Sequence, residues 1–304
     1  MALSERLKAW EKSGNFINVG PFDHKVFVKH VGEQDAAAEK TLLLLHGFPE
    51  SSFSYHLILD GMQKVFDRII LFDMIGYGFS DKPETDYAYS LMEQADLALL
   101  VWQDFGVSGG HLLAHDMGNS VATELASRHV NGLLPAWFKE SFKSYTFTNG
   151  SILLSFAKLR ITQKLLLSKY GYLMKSLVSY KLFSHQIRSA QGNDNLSEEA
   201  INELWEANKL QEGHLKTYLT IKYLNDRKQF EKTRWIPALK RVNIPVHFCW
   251  GDDDAVARVE MAHHLKEHVC KEATLTIMKD VGHFCQIGSP EIWVKSVSSF
   301  YNNL

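Results

Sequence analysis

Residues 112–126 read LLAHDMGNSVATELA. A short apolar run leads into His115 and Asp116, and the residues from Met117 onward carry the spacing of a helix, so the segment is expected to be a strand, a tight turn and a helix. Asp116 falls on the turn, between Ala114 and Gly118. Small residues suit those two positions because the turn is sharp, and a larger side chain would strike the neighbouring strand or cover Asp116. A helix that starts at the turn also offers unpaired backbone N–H groups, that of Met117 first, to a negatively charged intermediate on Asp116.

The flanking runs indicate the sheet that this turn belongs to. KVFVKHV (25–31) alternates, whereas TLLLLH (41–46), RIILFD (68–73) and HLLAH (111–115) are the short continuous apolar runs of strands covered on both faces. A further strand ends over residues 146–149, and VHFCW (246–250) and TLTIM (274–278) supply the last two. Helices are predicted over residues 90–105, 257–269 and 290–301. Strands alternating with helices imply an α/β fold with a mostly parallel central sheet flanked by helices. Residues 151–240 break that rhythm with a helical, aromatic stretch placed as an insertion between strands. The expected organisation is a core over 1–150 and 241–304 with an inserted helical cap over 151–240.

Composition narrows the classes of function. The 304 residues are 45% hydrophobic, enough to bury a full core, and the formal charge of −2 leaves no excess of cations to hold a polyanion, so no nucleic acid partner is expected. Three scattered cysteines, Cys249, Cys270 and Cys285, argue against a disulfide framework and fit a reducing compartment. Glu5, Arg6 and Lys8 interrupt what a signal peptide would need as an apolar stretch, and no run reaches the ~20 apolar residues of a membrane span, so a cytoplasmic location is expected. Leu3, Leu7 and Trp10 share one face of a possible first helix, expected to pack on the domain itself. Residues 151–193 hold no Asp or Glu but contain Lys158, Arg160, Lys164, Lys169, Lys175, Lys181 and Arg188. The simpler account is a solvated face balanced by Glu198, Glu199 and Glu203; the alternative is attraction to an anionic membrane surface, with weak contact, or to an anionic substrate at the cap mouth. No cluster of His, Cys and carboxylates has metal spacing, so neither metal nor cofactor is expected.

Two more segments complete a constellation with Asp116. HGFP (46–49) follows the run TLLLL, so its turn lies at the carboxyl end of that strand, where the N–H of Phe48 can join that of Met117 in an oxyanion hole. WGDDDAV (250–256) and GHFCQIGSPE (282–291) follow the last two strands and bring an acid, then His283. These motifs, with HGFPESS (46–52), DMIGYGFSDKP (73–83) and AHDMG (114–118), resemble the α/β-hydrolase superfamily over almost the whole chain. The branch they resemble is that of epoxide hydrolases and haloalkane dehalogenases, in which the nucleophile is an aspartate. HDMGNSVATEL (115–125), YLNDRKQF (223–230) and RW (234–235) are similar to the group of hydrolases around mesoderm-specific transcript protein.

The resemblance implies Asp116 as nucleophile, Asp254 as the acid and His283 as the base. Asp252 and Asp253 adjoin Asp254, and the family pattern W-G-x-x-D selects the last of the three. Some dehalogenase-like relatives place the acid after the strand that ends here at Thr148 and Asn149, and Asn149 carries no charge. His46 is expected to fix its turn through a side-chain hydrogen bond, and His115 to be structural. The implied chemistry uses a small-molecule substrate and water. Asp116 attacks saturated carbon, and water activated by His283 then cleaves the ester at the carboxyl carbon of Asp116. A halide leaving group needs N–H donors, which haloalkane dehalogenases supply with Trp after the nucleophile and Asn in the oxyanion segment; here those positions are Met117 and Phe48. Fluoroacetate-type dehalogenases follow the nucleophile with Arg, also absent. An epoxide oxygen needs O–H donors from the cap. Tyr223 resembles the family's second cap tyrosine, with Tyr170 or Tyr172 as its partner. Epoxide hydrolysis is therefore expected, with dehalogenation, or a binding protein on the same fold, as the alternatives.

Overall fold

The computed structural model describes residues 3–156 and 161–304, without the side chains of residues 161, 176 and 177. Eight strands form one sheet: β1 (Asn15–Val19), β2 (His24–Gly32), β3 (Thr41–Leu45), β4 (Arg68–Phe72), β5 (Gly109–His115), β6 (Ser141–Thr148), β7 (Val246–Gly251) and β8 (Thr274–Met278). Their order is β1-β2-β4-β3-β5-β6-β7-β8. β1 and β2 pair antiparallel, β2 meets β4 antiparallel, and every pairing from β4 to β8 is parallel. The sheet is thus mostly parallel, as expected, with its one antiparallel edge at β1 and β2.

The helices of eight or more residues are α1 (Glu5–Lys12), α2 (Leu91–Asp104), α3 (Met117–Val130), α4 (Tyr180–Gln191), α5 (Glu198–Lys209), α6 (Tyr223–Phe230), α7 (Val259–His268) and α8 (Pro290–Tyr301). Alternation along β3 divides the core. Leu43 and Leu45 pack with residues of α2, α3 and α7, while Leu42 and Leu44 pack with Leu7 and Trp10 of α1 and Trp293 and Val297 of α8. Both faces are therefore covered, which is why the central strands read as unbroken apolar runs. The first helix packs on its own domain, with Leu7 and Trp10 buried. A reciprocal capping box of Ser90 and Glu93 starts α2. β1 was not expected from the sequence: it is an edge strand whose side chains are mostly exposed or half-buried, so NFINV carries no clear hydrophobic signature.

Between β6 and β7 lie α4, α5, α6 and several shorter turns. The stretch is less uniformly helical than expected. Residues 149–153 are irregular, and Gln211 and Glu212 take positive φ after α5, breaking the helical path there. Phe183, Ile187, Leu204 and Trp205 from α4 and α5 pack with Phe284 and Ile287, which follow β8. Of the basic residues in this stretch, Arg188 pairs with Glu198, while Lys158 and Arg160 lie outside the described residues. Among the described residues no helix is long and apolar enough to cross a membrane.

Candidate active site

The loops at the carboxyl ends of β3, β5, β7 and β8 converge on Asp116, which sits between β5 and α3 with φ 45° and ψ −113°. Left-handed φ is costly for a residue with a Cβ and marks a turn held by its surroundings. Tight packing accounts for it. A Cβ on Gly118 would lie 2.5 Å from the Leu45 carbonyl oxygen, and one on Gly47 would lie 2.7 Å from Asp116 Cβ.

The two carboxylate oxygens of Asp116 have different neighbours. The Phe48 N–H donates to Oδ2 at 2.9 Å, while Oδ1 lies 3.9 Å from His283 Nε2, beyond hydrogen-bond length. Met117 opens α3, so its N–H has no acceptor within the helix, and its Sδ accepts from the Tyr77 hydroxyl at 3.3 Å. Asp116 thus presents one oxygen to the Phe48 N–H and the other toward the histidine.

His283 is fixed from both sides. Its Nδ1 lies 2.8 Å from Asp254 Oδ2, and its backbone N–H donates to the Gln191 carbonyl, the last residue of α4, at 2.9 Å. That approach requires glycine at 282, where a Cβ would fall 2.0 Å from the same oxygen. Asp254 Oδ1 accepts from the N–H groups of Val256 and Ala257, and Oδ2 also accepts from Asn149 Nδ2 at 2.9 Å. Asp252 and Asp253 are turned elsewhere, accepting from Asp280 N–H and Asn193 Nδ2. Asn149, uncharged and just past the end of β6, is thus a donor to Asp254.

The charges around the imidazole decide its protonation. Burial pulls the His283 ring down, but the carboxylate of Asp254, then those of Asp116 and Glu50, outweigh it and carry it up to about 9. Glu50 had no role in the sequence reading, although it stands in HGFPESS. It is fully buried and pushed up to about 8 by burial, with His283 pulling against this. Gln286 Nε2 donates to its Oε1 at 2.8 Å. His115 Nε2 lies 3.2 Å from Glu50 Oε2 without hydrogen-bond alignment, and burial holds that ring down to about 3. His115 is therefore neutral near pH 7, and its contact with Glu50 is not an ion pair. His46 accepts from Met74 N–H at Nε2 and lies 2.8 Å from the Gly47 carbonyl through Nδ1, which ties the Phe48 turn to the loop after β4.

A cavity of about 160 Å³ opens over Asp116 and His283, lined mainly by apolar side chains together with Tyr223 and Arg227. Tyr223 is buried with its ring 5.7 Å from that of Phe48, and burial pushes its phenol up, so it is protonated near pH 7. Tyr170 and Tyr172 do not join it. The two residues are 58% and 51% exposed and lie off the cavity wall, on short turns whose sequence shows no helical face.

Residues 40–290 match the family described as alpha/beta hydrolase fold. Mesoderm-specific transcript homolog protein of Bos taurus is 30% identical, over 99% of this chain and 89% of that protein. Epoxide hydrolase 3 of Xenopus tropicalis is 26% identical over 85% of this chain and 70% of that protein. The crystal structure of haloalkane dehalogenase DbeA from Bradyrhizobium elkani superposes with a TM-score of 0.75 at 21% identity, covering 95% of this chain and 98% of the other. The family match over residues 40–290 spans most of the sequence and takes in β3 to β8 and every loop that meets at Asp116, so the chain belongs to the alpha/beta hydrolase fold family.

Proposed function

We propose that this hydrolase opens a small epoxide through a covalent ester on Asp116, with Asp254 and His283 completing a catalytic triad. The observation that supports this most is the orientation of the Asp116 carboxylate, with Oδ2 on the Phe48 N–H and Oδ1 facing the histidine and the cavity. Asp116 attacks an epoxide carbon, the C–O bond breaks, and the released oxygen takes the phenolic proton of Tyr223. Forming the ester removes the negative charge of Asp116, one of the influences that raise His283. The imidazole can then lose its proton to solvent, from which the Tyr223 phenolate regains one, and act as base. Water attacks the carboxyl carbon of the ester and gives its proton to His283. The oxyanion that forms is held by the N–H groups of Phe48 and Met117; collapse breaks the bond to the alkyl oxygen, which takes the proton of the new carboxyl group, so that the diol leaves and Asp116 is again a carboxylate. Residues 151–240 act in this scheme as a cap that supplies Tyr223 and keeps the cavity dry. The three free, buried cysteines fit a reducing compartment, and we assign the enzyme to the cytoplasm.

The test is intact-protein mass spectrometry of His283→Gln after exposure to panels of small epoxides and bromoalkanes, with Asp116→Asn as control. General bases of this kind contribute roughly 10²–10⁴-fold, so their loss should leave the ester stranded. An adduct of epoxide mass, absent from the control, is expected. An adduct of alkyl mass from bromoalkanes alone would establish dehalogenation, and no adduct with either panel would sink the ester mechanism.

A further inference from the structure

Arg227 lies in α6 and is 2% exposed, and it lines the cavity beside Asp116 and Tyr223. Its Nε donates to Ser120 Oγ at 2.8 Å, and its guanidinium stands 4.7 Å over the Tyr223 ring. Its Nη2 is buried with no hydrogen-bond partner, and among the described residues no carboxylate is within ion-pair distance. The acids on neighbouring elements are engaged elsewhere. Glu124 is held by Arg128, Arg234 and the Trp235 indole; Glu231 accepts from Leu154 N–H; Asp226 accepts from Leu91 N–H. A permanently charged group this buried is costly to leave without a counter-charge. A guanidinium whose free edge borders a cavity can be satisfied by an anion entering that cavity.

We propose that Arg227 is an anion subsite and that the substrate is an apolar molecule carrying one carboxylate near its electrophilic carbon. A single cation in a largely apolar wall matches one negative charge better than the two of a phosphate monoester. Ser120, which anchors the guanidinium, stands about one helical turn, roughly 6 Å, beyond Asp116 on α3, so the carboxylate and the attacked carbon lie close together. His283 is the other cation at the cavity, but Asp254 and Asp116 already face it. The placement of the reacting carbon rests on Asp116 as nucleophile; anion binding does not.

The test is calorimetric titration of the wild-type protein with octanoate, octanamide and bromide at pH 8, repeated on Arg227→Met and Arg227→Lys. Charge-assisted bonding predicts octanoate at least about tenfold tighter than octanamide. Arg227→Met should abolish that preference while leaving octanamide affinity nearly unchanged, and Arg227→Lys should restore part of it. Equal binding of octanoate and octanamide by the wild type would overturn the proposal even if no variant folds. So would bromide competing with octanoate at equal affinity, since the site would then take a bare halide. A preference that survives in Arg227→Met and disappears as the pH is raised past 9 would also overturn it, by assigning the anion to His283. Since no turnover is measured, the result stands whether or not Asp116 forms an ester.

Discussion

At the scale of single residues, His283 is shaped by carboxyl groups on three separate loops, and its proton is the coordinate to follow. Its folded value of about 9 lies above the ordinary 6.5, so the folded state holds the proton more tightly than the unfolded chain. The stabilisation is fully present below pH 6.5 and is lost as the pH rises through about 9. Asp116→Asn removes one of the charges responsible while keeping the side chain's size. The imidazole resonances of His283, followed by NMR, should titrate at a lower pH in this variant than in the wild type, and the alkaline loss of stability should begin earlier. An unchanged titration would mean that Asp116 has no part in setting the proton, and that ester formation does not free the base.

At the scale of elements, the elbow is where the sequence was most legible and where the chain has least freedom. LLAHDMG yields a strand, a turn and a helix because β5 is buried on both faces and Gly118 passes against β3. Adding one methyl group at Gly118 would drive it to 2.5 Å and 2.7 Å from the carbonyl oxygens of Leu45 and His46, atoms that cannot swing aside. Gly118→Ala should therefore destabilise the protein by at least about 1–3 kcal/mol, comparable to overpacking a core. Thermal denaturation checks this: a drop of several degrees is expected, and an unchanged melting temperature would show that the elbow has room. Other features gave weaker signals. The edge strand β1 lacks a buried face, Tyr170 and Tyr172 belong to short turns without a helical period, and Asn149 was read only as a missing acid. Glu50 and Arg227 are charged residues that a sequence places in solvent by default; their burial exists only once distant segments meet.

At the scale of the whole molecule, sequentially distant segments hold the site together. The HGFPESS loop, the elbow, the loop after β7 and the loop after β8 supply Phe48, Asp116, Asp254 and His283, and the end of α4 buttresses His283 through Gln191. α1 ties the sheet to the inserted helices: Ser4 N–H donates to Glu206, and Arg6 pairs with Glu203 and Glu199 of α5. Such a frame can hold Asp116 still while a bond is made to it and broken, the covalent step we propose. Its most direct measurement is a single turnover in ¹⁸O-water with an excess of enzyme over a reactive epoxide, followed by mass analysis of the peptide that contains Asp116 and of the diol. With water attacking the carboxyl carbon of the proposed ester, ¹⁸O is expected in the Asp116 carboxylate and the diol should be unlabelled. Label in the diol with none on Asp116 would mean that water attacks the substrate directly, and would contradict the proposed ester.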